Sequence, residues 1–320
     1  SASSILMFAA FIGIPMFASE FLELKWILLL VVAMGLAGLG LFLVRQKVQQ
    51  DDGFLAVTLH AFGSIVSGRN ASARTESATA PENDIRRHWL FADAARKFGP
   101  ETAEGPLAVF RIVSVFLLVS VFWALFDQHM TSWIRQAEQM NLTVNLLFTK
   151  ITLLPSQIQS LNPLLVMILL PVINLFVYPA MARLGFNPTP LRKMTVGMAV
   201  ASLAFVAVAT IQHTINAAEP GSVSVLWQII PYVIMTSAEV MVSVTGLEFA
   251  YTQAPKPMKS TIMGFWLLAV SLGNLLVAFL TRFEGLPLVD FFWVFAGLMA
   301  VAAGLFAVFS LFYRYREYQQ

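Results

Sequence analysis

The sequence contains a stretch from Ile151 to Ala182 that has no charged residue. It is longer than the roughly 20 apolar residues that cross a bilayer as a helix. Three of its prolines, Pro163, Pro171 and Pro179, recur every eight residues. Proline interrupts a water-exposed helix, but the neighbouring helices of a membrane bundle can satisfy the carbonyl groups that it frees. The stretch therefore predicts one long, bent membrane-spanning helix.

Composition extends this conclusion to the whole chain. Only 12% of the 320 residues are charged and 58% are hydrophobic, whereas soluble domains carry about 25% charged residues. The net charge of +2 is too small to indicate a nucleic-acid partner. The absence of cysteine excludes disulfides, zinc–cysteine sites, iron–sulfur clusters and thiol catalysis. We therefore predict a polytopic membrane protein, neither a soluble enzyme nor a nucleic-acid binder.

Apolar segments predict how the chain is organised. Six of them in the C-terminal part are long enough to span a membrane: 107–126, 160–182, 194–212, 222–248, 260–281 and 291–313. Near the N-terminus, 26–44 is a further span, and 4–19 is a shorter candidate that contains Pro15. We expect four regions: one or two transmembrane helices in 1–44, a linker in 45–106, a six-helix bundle in 107–313 and a tail in 314–320.

The linker is the one long polar region of the sequence. Gly68–Pro81 is rich in serine, alanine and threonine, so we expect a mobile segment there. Amphipathic helices are predicted on either side, over Phe54–Val66 and Asp84–Phe98. Two interpretations of these helices stay open: they lie along the membrane surface, or they are solvated and have no lipid role.

Basic residues predict the orientation of the chain. One set of connections is rich in lysine and arginine, whereas the other holds only Arg135, Lys150 and Arg282. By the positive-inside bias the rich set is cytoplasmic; outside the linker it comprises Arg183, Arg192, Lys193, Lys256, Lys259, Arg314 and Arg316. We therefore expect an integral protein of the plasma (inner) membrane whose linker and C-terminus are cytoplasmic.

Four sequence motifs, in order along the chain, resemble one transporter family. The first is Val121-Phe-Trp-Ala-Leu-Phe-Asp-Gln128, followed by Trp133-Ile-Arg-Gln-Ala-Glu138. The others are Gln159-Ser-Leu-Asn-Pro-Leu164; Ala238-Glu239 with Gly246-Leu-Glu-Phe-Ala-Tyr-Thr-Gln-Ala-Pro-Lys256; and Lys259-Ser-Thr with Trp266-Leu-Leu and Gly273-Asn-Leu. They resemble the seventh, eighth, tenth and eleventh helices of proton-dependent oligopeptide transporters, a branch of the major facilitator superfamily.

The resemblance implies an all-α membrane protein: the six-helix C-terminal bundle of a major facilitator fold, with one or two N-terminal transmembrane helices. It implies proton-coupled symport of di- and tripeptides by alternating access, with no cofactor beyond the proton gradient. Nothing resembles the family's N-terminal half, so we expect either a fragment or a second polypeptide that supplies this half. At the first motif the chain departs from the family and reads His129-Met-Thr-Ser132 after Gln128.

Glu239 is the foremost site candidate. No other residue from Gly221 to Leu247 is charged, so its carboxyl group is expected deep in the membrane. Such a group costs roughly 2.5 to 3.5 kcal/mol at a helix centre, and burial disfavours its ionised form. Ser243 follows one turn later on the same face. The resemblance implies that Glu239 binds a peptide amino terminus or exchanges a proton; the alternative is a carboxyl group that only packs helices together.

Four further residues carry paired interpretations. The resemblance implies that Asp127 closes an outer gate and that Trp123, Asn162 and Trp266 line the substrate cavity. The alternatives are an interfacial carboxylate for Asp127, a headgroup anchor for Trp123, a helix cap before Pro163 for Asn162, and simple packing for Trp266.

Other classes of site find no support in the sequence. The histidines His60, His88, His129 and His213 are not spaced as metal ligands, and no nucleophile–base pair indicates an enzyme. Two alternatives to peptide symport remain open. One is a carrier or exporter of another peptide-like or nitrogenous metabolite, and the other is a non-transporting membrane partner that lacks the N-terminal half.

Overall fold

The computed structural model describes residues 53–81, 84–146, 149–280, 285–313 and Tyr315, with a few positions between 26 and 40. The helices predicted in 1–44 lie almost wholly outside the described residues, as does the 314–320 tail apart from Tyr315.

Helices make up most of the described part. In chain order they are α1 (Phe54–Val66), α2 (Arg69–Glu76), α3 (Ala92–Phe98), α4 (Pro100–Phe126), α5 (Ser132–Ala137), α6 (Leu161–Val172), α7 (Tyr178–Arg183), α8 (Pro190–Ala217), α9 (Ile229–Glu239), α10 (Thr245–Thr252), α11 (Lys259–Leu280) and α12 (Leu288–Phe312). Two π-helical segments, Ile173–Val177 and Val240–Val244, join α6 to α7 and α9 to α10.

Six helical stretches of the described part are long and apolar enough to span a membrane, which confirms the predicted bundle. In order, the first to sixth spans are Pro100–Ala137, Pro155–Arg183, Pro190–Ala217, Val225–Thr252, Lys256–Val277 and Leu288–Phe312. Two helices, α4 and α8, begin with a proline at the first helical position, where no backbone N–H is needed. For this reason they extend beyond the apolar runs that predicted them.

The packing of the spans leaves one of them at the edge of the bundle. The third span, α8, packs along α12 and α9, and the first span packs along α11. Close approach requires glycine at one of these contacts: a Cβ at Gly273 of α11 would lie 2.8 Å from the Ser120 carbonyl oxygen of α4. In contrast, α6 in the second span has no buried residue and contacts the bundle through α9.

The second span shows how its prolines are tolerated. The helix continues from Leu161 to Arg183 through the π segment Ile173–Val177, which lies between Pro171 and Pro179. Each proline removes one backbone hydrogen bond, and a π segment is a local way to absorb such a defect without ending the helix.

The polar region before the first span is more ordered than its composition predicts. The expectation of a mobile Gly68–Pro81 is wrong, because α2 forms there. The Asn70 amide donates to the Trp89 carbonyl oxygen and accepts from the Asp93 backbone N–H at 3.0 Å. A single helix over Asp84–Phe98 is also wrong, because the chain extends at His88 and α3 begins only at Ala92.

A β-hairpin connects the first two spans and was not predicted. Strands β1 (Thr143–Leu146) and β2 (Thr149–Thr152) pair antiparallel, with Thr143 opposite Thr152. Their threonine, valine and isoleucine residues favour extended structure. The all-α prediction holds for the bundle, and the hairpin is confined to a loop.

Candidate functional site

Glu239 forms a polar contact between two spans. It is the last residue of α9, and its carboxylate accepts a hydrogen bond from the Asn162 side-chain amide of α6 at 2.7 Å. The same amide lies 3.2 Å from the Thr236 hydroxyl, one turn before Glu239. Ser160, not Asn162, is the N-cap residue of α6. The helix-cap interpretation of Asn162 is therefore wrong, because Asn162 lies within the helix and no side chain caps its start.

No cation neutralises this carboxylate within the part of the chain that the structure describes. Glu239 is half-buried, so its charge is met only by one neutral amide. A carboxyl group in this setting is suited to bind a proton or an ammonium group.

Ser243 lies in the π segment that follows Glu239 directly. It is half-buried, and no hydrogen bond joins it to Glu239 among the described residues. The π segment is held by α8, because a Cβ at Gly197 would lie 2.8 Å from the Val242 side chain and 3.1 Å from the Ala238 carbonyl oxygen. The structure places Ser243 next to Glu239 in the chain without joining their side chains.

Trp123 and Trp266 meet on the first and fifth spans. Their rings are perpendicular with centroids 6.0 Å apart, and Phe116 contacts Trp266 at 5.1 Å. Trp266 also covers Gly246 of α10, where a Cβ would lie 2.9 Å from the indole. The indole N–H of Trp123 is buried and has no hydrogen-bond partner within the described structure.

Asp127 stands apart from both groups. It opens the 3-10 turn Asp127–Met130 at the C-terminal end of α4 and is half-buried. No ion pair involves it among the residues that the structure describes. A gate that uses Asp127 therefore needs a cation from outside the described residues.

A network of buried glutamines near Asp127 was missed by the sequence reasoning. The Gln136 amide donates to the Gln212 side-chain oxygen at 3.0 Å, and the Gln228 amide donates to the Gln136 oxygen at 3.0 Å. The network fastens the C-terminal ends of the first and third spans to the start of the fourth. The sequence feature that could have indicated this network is an uncharged polar side chain near one end of each apolar run. Thr236 was missed too, although its position one turn before Glu239 marks it.

Within the described ranges, no group of three histidine, aspartate or glutamate residues could hold a metal ion. The candidates instead form two contacting pairs, Glu239–Asn162 and Trp123–Trp266. Ser243 and Asp127 are joined to neither pair.

Comparison with known proteins identifies the family. A sequence model described as the POT family matches residues 98–285, which is more than half of the chain. The chain belongs to the POT family. The family resemblance in the four motifs is thereby confirmed, and the chain is an integral membrane protein of a transporter family.

Individual relatives agree. Rabbit solute carrier family 15 member 2 is 39% identical over 164 residues, which are 50% of this chain and 21% of that protein. The human protein of that name is 32% identical over 224 residues, which are 69% of this chain and 29% of the relative. The match therefore spans less than a third of either relative.

Solved structures show the same fold. The crystal structure of an auto-inhibited POT family peptide transporter has 29% sequence identity and a TM-score of 0.67, and the alignment covers 98% of this chain and 69% of that one. This similarity confirms the predicted fold, a six-helix bundle of the major facilitator type.

Proposed function

We propose that this chain supplies the C-terminal six-helix bundle of a proton-coupled symporter of di- and tripeptides. The complete protein would work by alternating access, in which this bundle rocks against an N-terminal six-helix half around a site near the bilayer midplane. It is a transporter and not an enzyme, and the proton gradient drives it without a cofactor. The related peptide transporters support the substrate class.

The observation that carries the proposal is the Glu239 carboxylate, which among the described residues is joined only to the Asn162 amide, at 2.7 Å. A charged group within a span is costly, so its retention without a cationic partner indicates a use. The role we assign to Glu239 is to bind the substrate ammonium group or the coupled proton. Asn162 positions the carboxylate, and its amide can also reach a peptide carbonyl group.

The remaining candidates are assigned to the cavity and to its outer gate. Trp123 and Trp266 form an aromatic wall of the cavity. Ser243 adds a hydroxyl group one turn beyond Glu239. Asp127 closes the outer gate by pairing with a cation of the N-terminal half. The linker and the C-terminus lie in the cytoplasm, and the protein resides in the plasma (inner) membrane.

The test is uptake by the complete protein in proteoliposomes that carry an inward proton gradient. Unlabelled dialanine, N-acetyl-dialanine and alanine are compared as competitors of radiolabelled dialanine. We expect accumulation of dialanine that collapses with a protonophore, and competition by dialanine alone. Accumulation that is independent of the proton gradient would contradict proton coupling. Competition by alanine would indicate a carrier of another metabolite, and no accumulation would indicate a non-transporting partner.

A further inference from the structure

Helix α1, in the segment before the first span, is apolar on two opposite faces. Its inner face is buried and includes Val57 and Ala61. The outer face carries a stripe of large exposed side chains: Leu55 is 61% exposed, Leu59 62%, Phe62 49% and Val66 91%. These positions follow the i, i+4, i+7, i+11 spacing of one helix face. Water does not favour such a surface, and among the described residues only the Phe62 end of the stripe touches another element, through Phe110 of α4.

The second predicted amphipathic segment offers no such surface. Leu90, Phe91, Ala94 and Ala95 are buried in one cluster with the inner face of α1. Apart from Trp89, which is 62% exposed, its apolar side chains attach it to α1 and to the start of α4. The outer stripe of α1 is what remains unpartnered after the segment has folded.

Contacts with two spans fix the depth of α1. The Phe54 ring lies 6.0 Å from Phe110 of α4 and 5.6 Å from Phe265 of α11, and Phe62 lies 6.3 Å from Phe110. Along α11, Phe265 lies about 9 Å beyond Lys259 at 1.5 Å per residue. Interfacial helices bury their apolar face about 5–10 Å into the headgroup and acyl boundary. With Lys259 at the membrane boundary, the start of α1 therefore lies within this range of depths.

Length and charge agree with this depth. Helix α11 has 22 residues, so it is about 33 Å long and matches a hydrocarbon core of about 30 Å when Lys259 lies at its edge. Arg69 follows α1 directly; it lies 3.8 Å from Asp93, and its side chain is still 55% exposed. An exposed cation next to an inserted apolar face suits the phosphate groups of lipids.

We propose that α1 lies in the membrane interface and that Leu55, Leu59, Phe62 and Val66 insert among phospholipid acyl chains. The helix then anchors the segment before the first span to the leaflet that it contacts. The proposal favours the membrane-surface interpretation of Phe54–Val66 over the solvated one. It assigns insertion into lipid to this helix and not to the second amphipathic segment. The proposal is independent of substrate and of proton coupling.

The test uses single cysteines, because this chain has none. In the complete protein, any cysteines elsewhere are replaced by serine. Leu59→Cys and the control Ala71→Cys, on the exposed surface of α2, are labelled with a small environment-sensitive fluorophore. The protein is reconstituted in phosphatidylethanolamine and phosphatidylglycerol vesicles, with or without acyl-brominated lipid, and iodide serves as the aqueous quencher.

We expect brominated lipid to quench the probe at position 59 at least about fivefold more than the probe at 71, and iodide to show the reverse order. Strong iodide quenching at 59 would mean that the stripe faces water and would overturn the proposal. Quenching by neither agent would mean that another protein segment covers α1, which would also overturn it. A label at Val66→Cys repeats the measurement at a second position of the stripe.

Discussion

Asp93 and Glu239 are two carboxylates that are at least partly withdrawn from water, and they differ in what surrounds them. Asp93, in the segment before the first span, is 3% exposed. It lies 3.1 Å from the His60 ring, 2.8 Å from Arg96 and 3.8 Å from Arg69. Asp93 thus joins α1, α2 and α3 with partners that the chain itself supplies.

Glu239 lies within a span and contacts one neutral amide. Within the described residues it has no cationic partner. Asp93 is thus a carboxylate that stabilises the fold, whereas Glu239 is available to bind a proton, a ligand or a residue of a partner half. Removing the first should unfold a segment, whereas removing the second should stop transport and leave the fold intact.

Asp93→Ala is expected to have the largest effect on stability. It leaves His60 and two arginines without their common partner, and breaking a buried ion pair costs about 3–5 kcal/mol. Because the arginine side chains are half-exposed, we expect about 2–3 kcal/mol, measured as faster hydrogen exchange over 54–98. Glu76→Ala, which removes an exposed partner of Arg96, should cost under about 0.5 kcal/mol. Equal effects of the two substitutions would refute the role of Asp93.

Asn162→Ala should lower the rate of proton-driven dipeptide uptake about tenfold, because one hydrogen bond to the carboxylate is lost and each 1.4 kcal/mol is a factor of ten. The measurement is the initial uptake rate in proteoliposomes at equal protein content. Asn174→Ala is the matched control, since the exposed Asn174 amide bonds only to the Leu170 carbonyl oxygen of its own helix. A loss of uptake in both variants would point to general damage of the second span.

His88 should make the stability of the segment before the first span dependent on pH. Burial, with added repulsion from Arg111 and Arg74, lowers the pKa of His88 to about 4. The unfolded chain takes up this proton near pH 6.5 and the folded chain only near pH 4. The stabilisation is therefore complete above pH 6.5 and is lost as the pH falls towards 4.

We expect hydrogen exchange over 85–98 to be about fivefold faster at pH 5 than at pH 7 after correction for intrinsic rates, allowing for partial exposure of the ring. His88→Phe should remove this difference. An equal pH dependence in the wild type and the variant would assign it to another group.

Ser243→Ala should have the smallest effect. A neutral hydrogen bond contributes about 0.5–1.5 kcal/mol, so the half-saturation concentration for dialanine should rise about threefold at an unchanged maximal rate. Ser271→Ala, on the exposed surface of α11, is the control. An unchanged half-saturation concentration in Ser243→Ala would remove Ser243 from the substrate site.

The sequence predicted those features that depend on local composition. The apolar runs predicted the six spans, and the missing charges around Glu239 predicted the depth of that residue. It did not predict features that depend on which distant residues meet. The serine-rich stretch after Gly68 forms α2 because Asn70 bonds to Trp89 and Asp93, a contact that composition does not encode.

The same limit applies to the candidate site. Glu239 and Asn162 were each named from motifs, but their mutual hydrogen bond follows from how α6 lies against α9. The partners of Gln136 were likewise hidden, because glutamine in an apolar run indicates a hydrogen bond but not its direction. Ser243 was placed on the Glu239 face from α-helical spacing, and the π segment that contains it changes that spacing.

Glu239→Gln in the complete protein tests the central claim most directly. The substitution keeps an oxygen that can accept a hydrogen bond from Asn162 but removes the titratable carboxyl group. The matched control is Glu219→Gln, at an exposed residue after the third span. We expect proton-driven accumulation of dialanine to fall roughly a hundredfold, because the loss of a hydrogen-bonded charge at such a site costs about 3 kcal/mol. Expression of the variant should be unchanged, and the control should remain active. Accumulation by Glu239→Gln at the wild-type level and with the wild-type pH dependence would contradict the account.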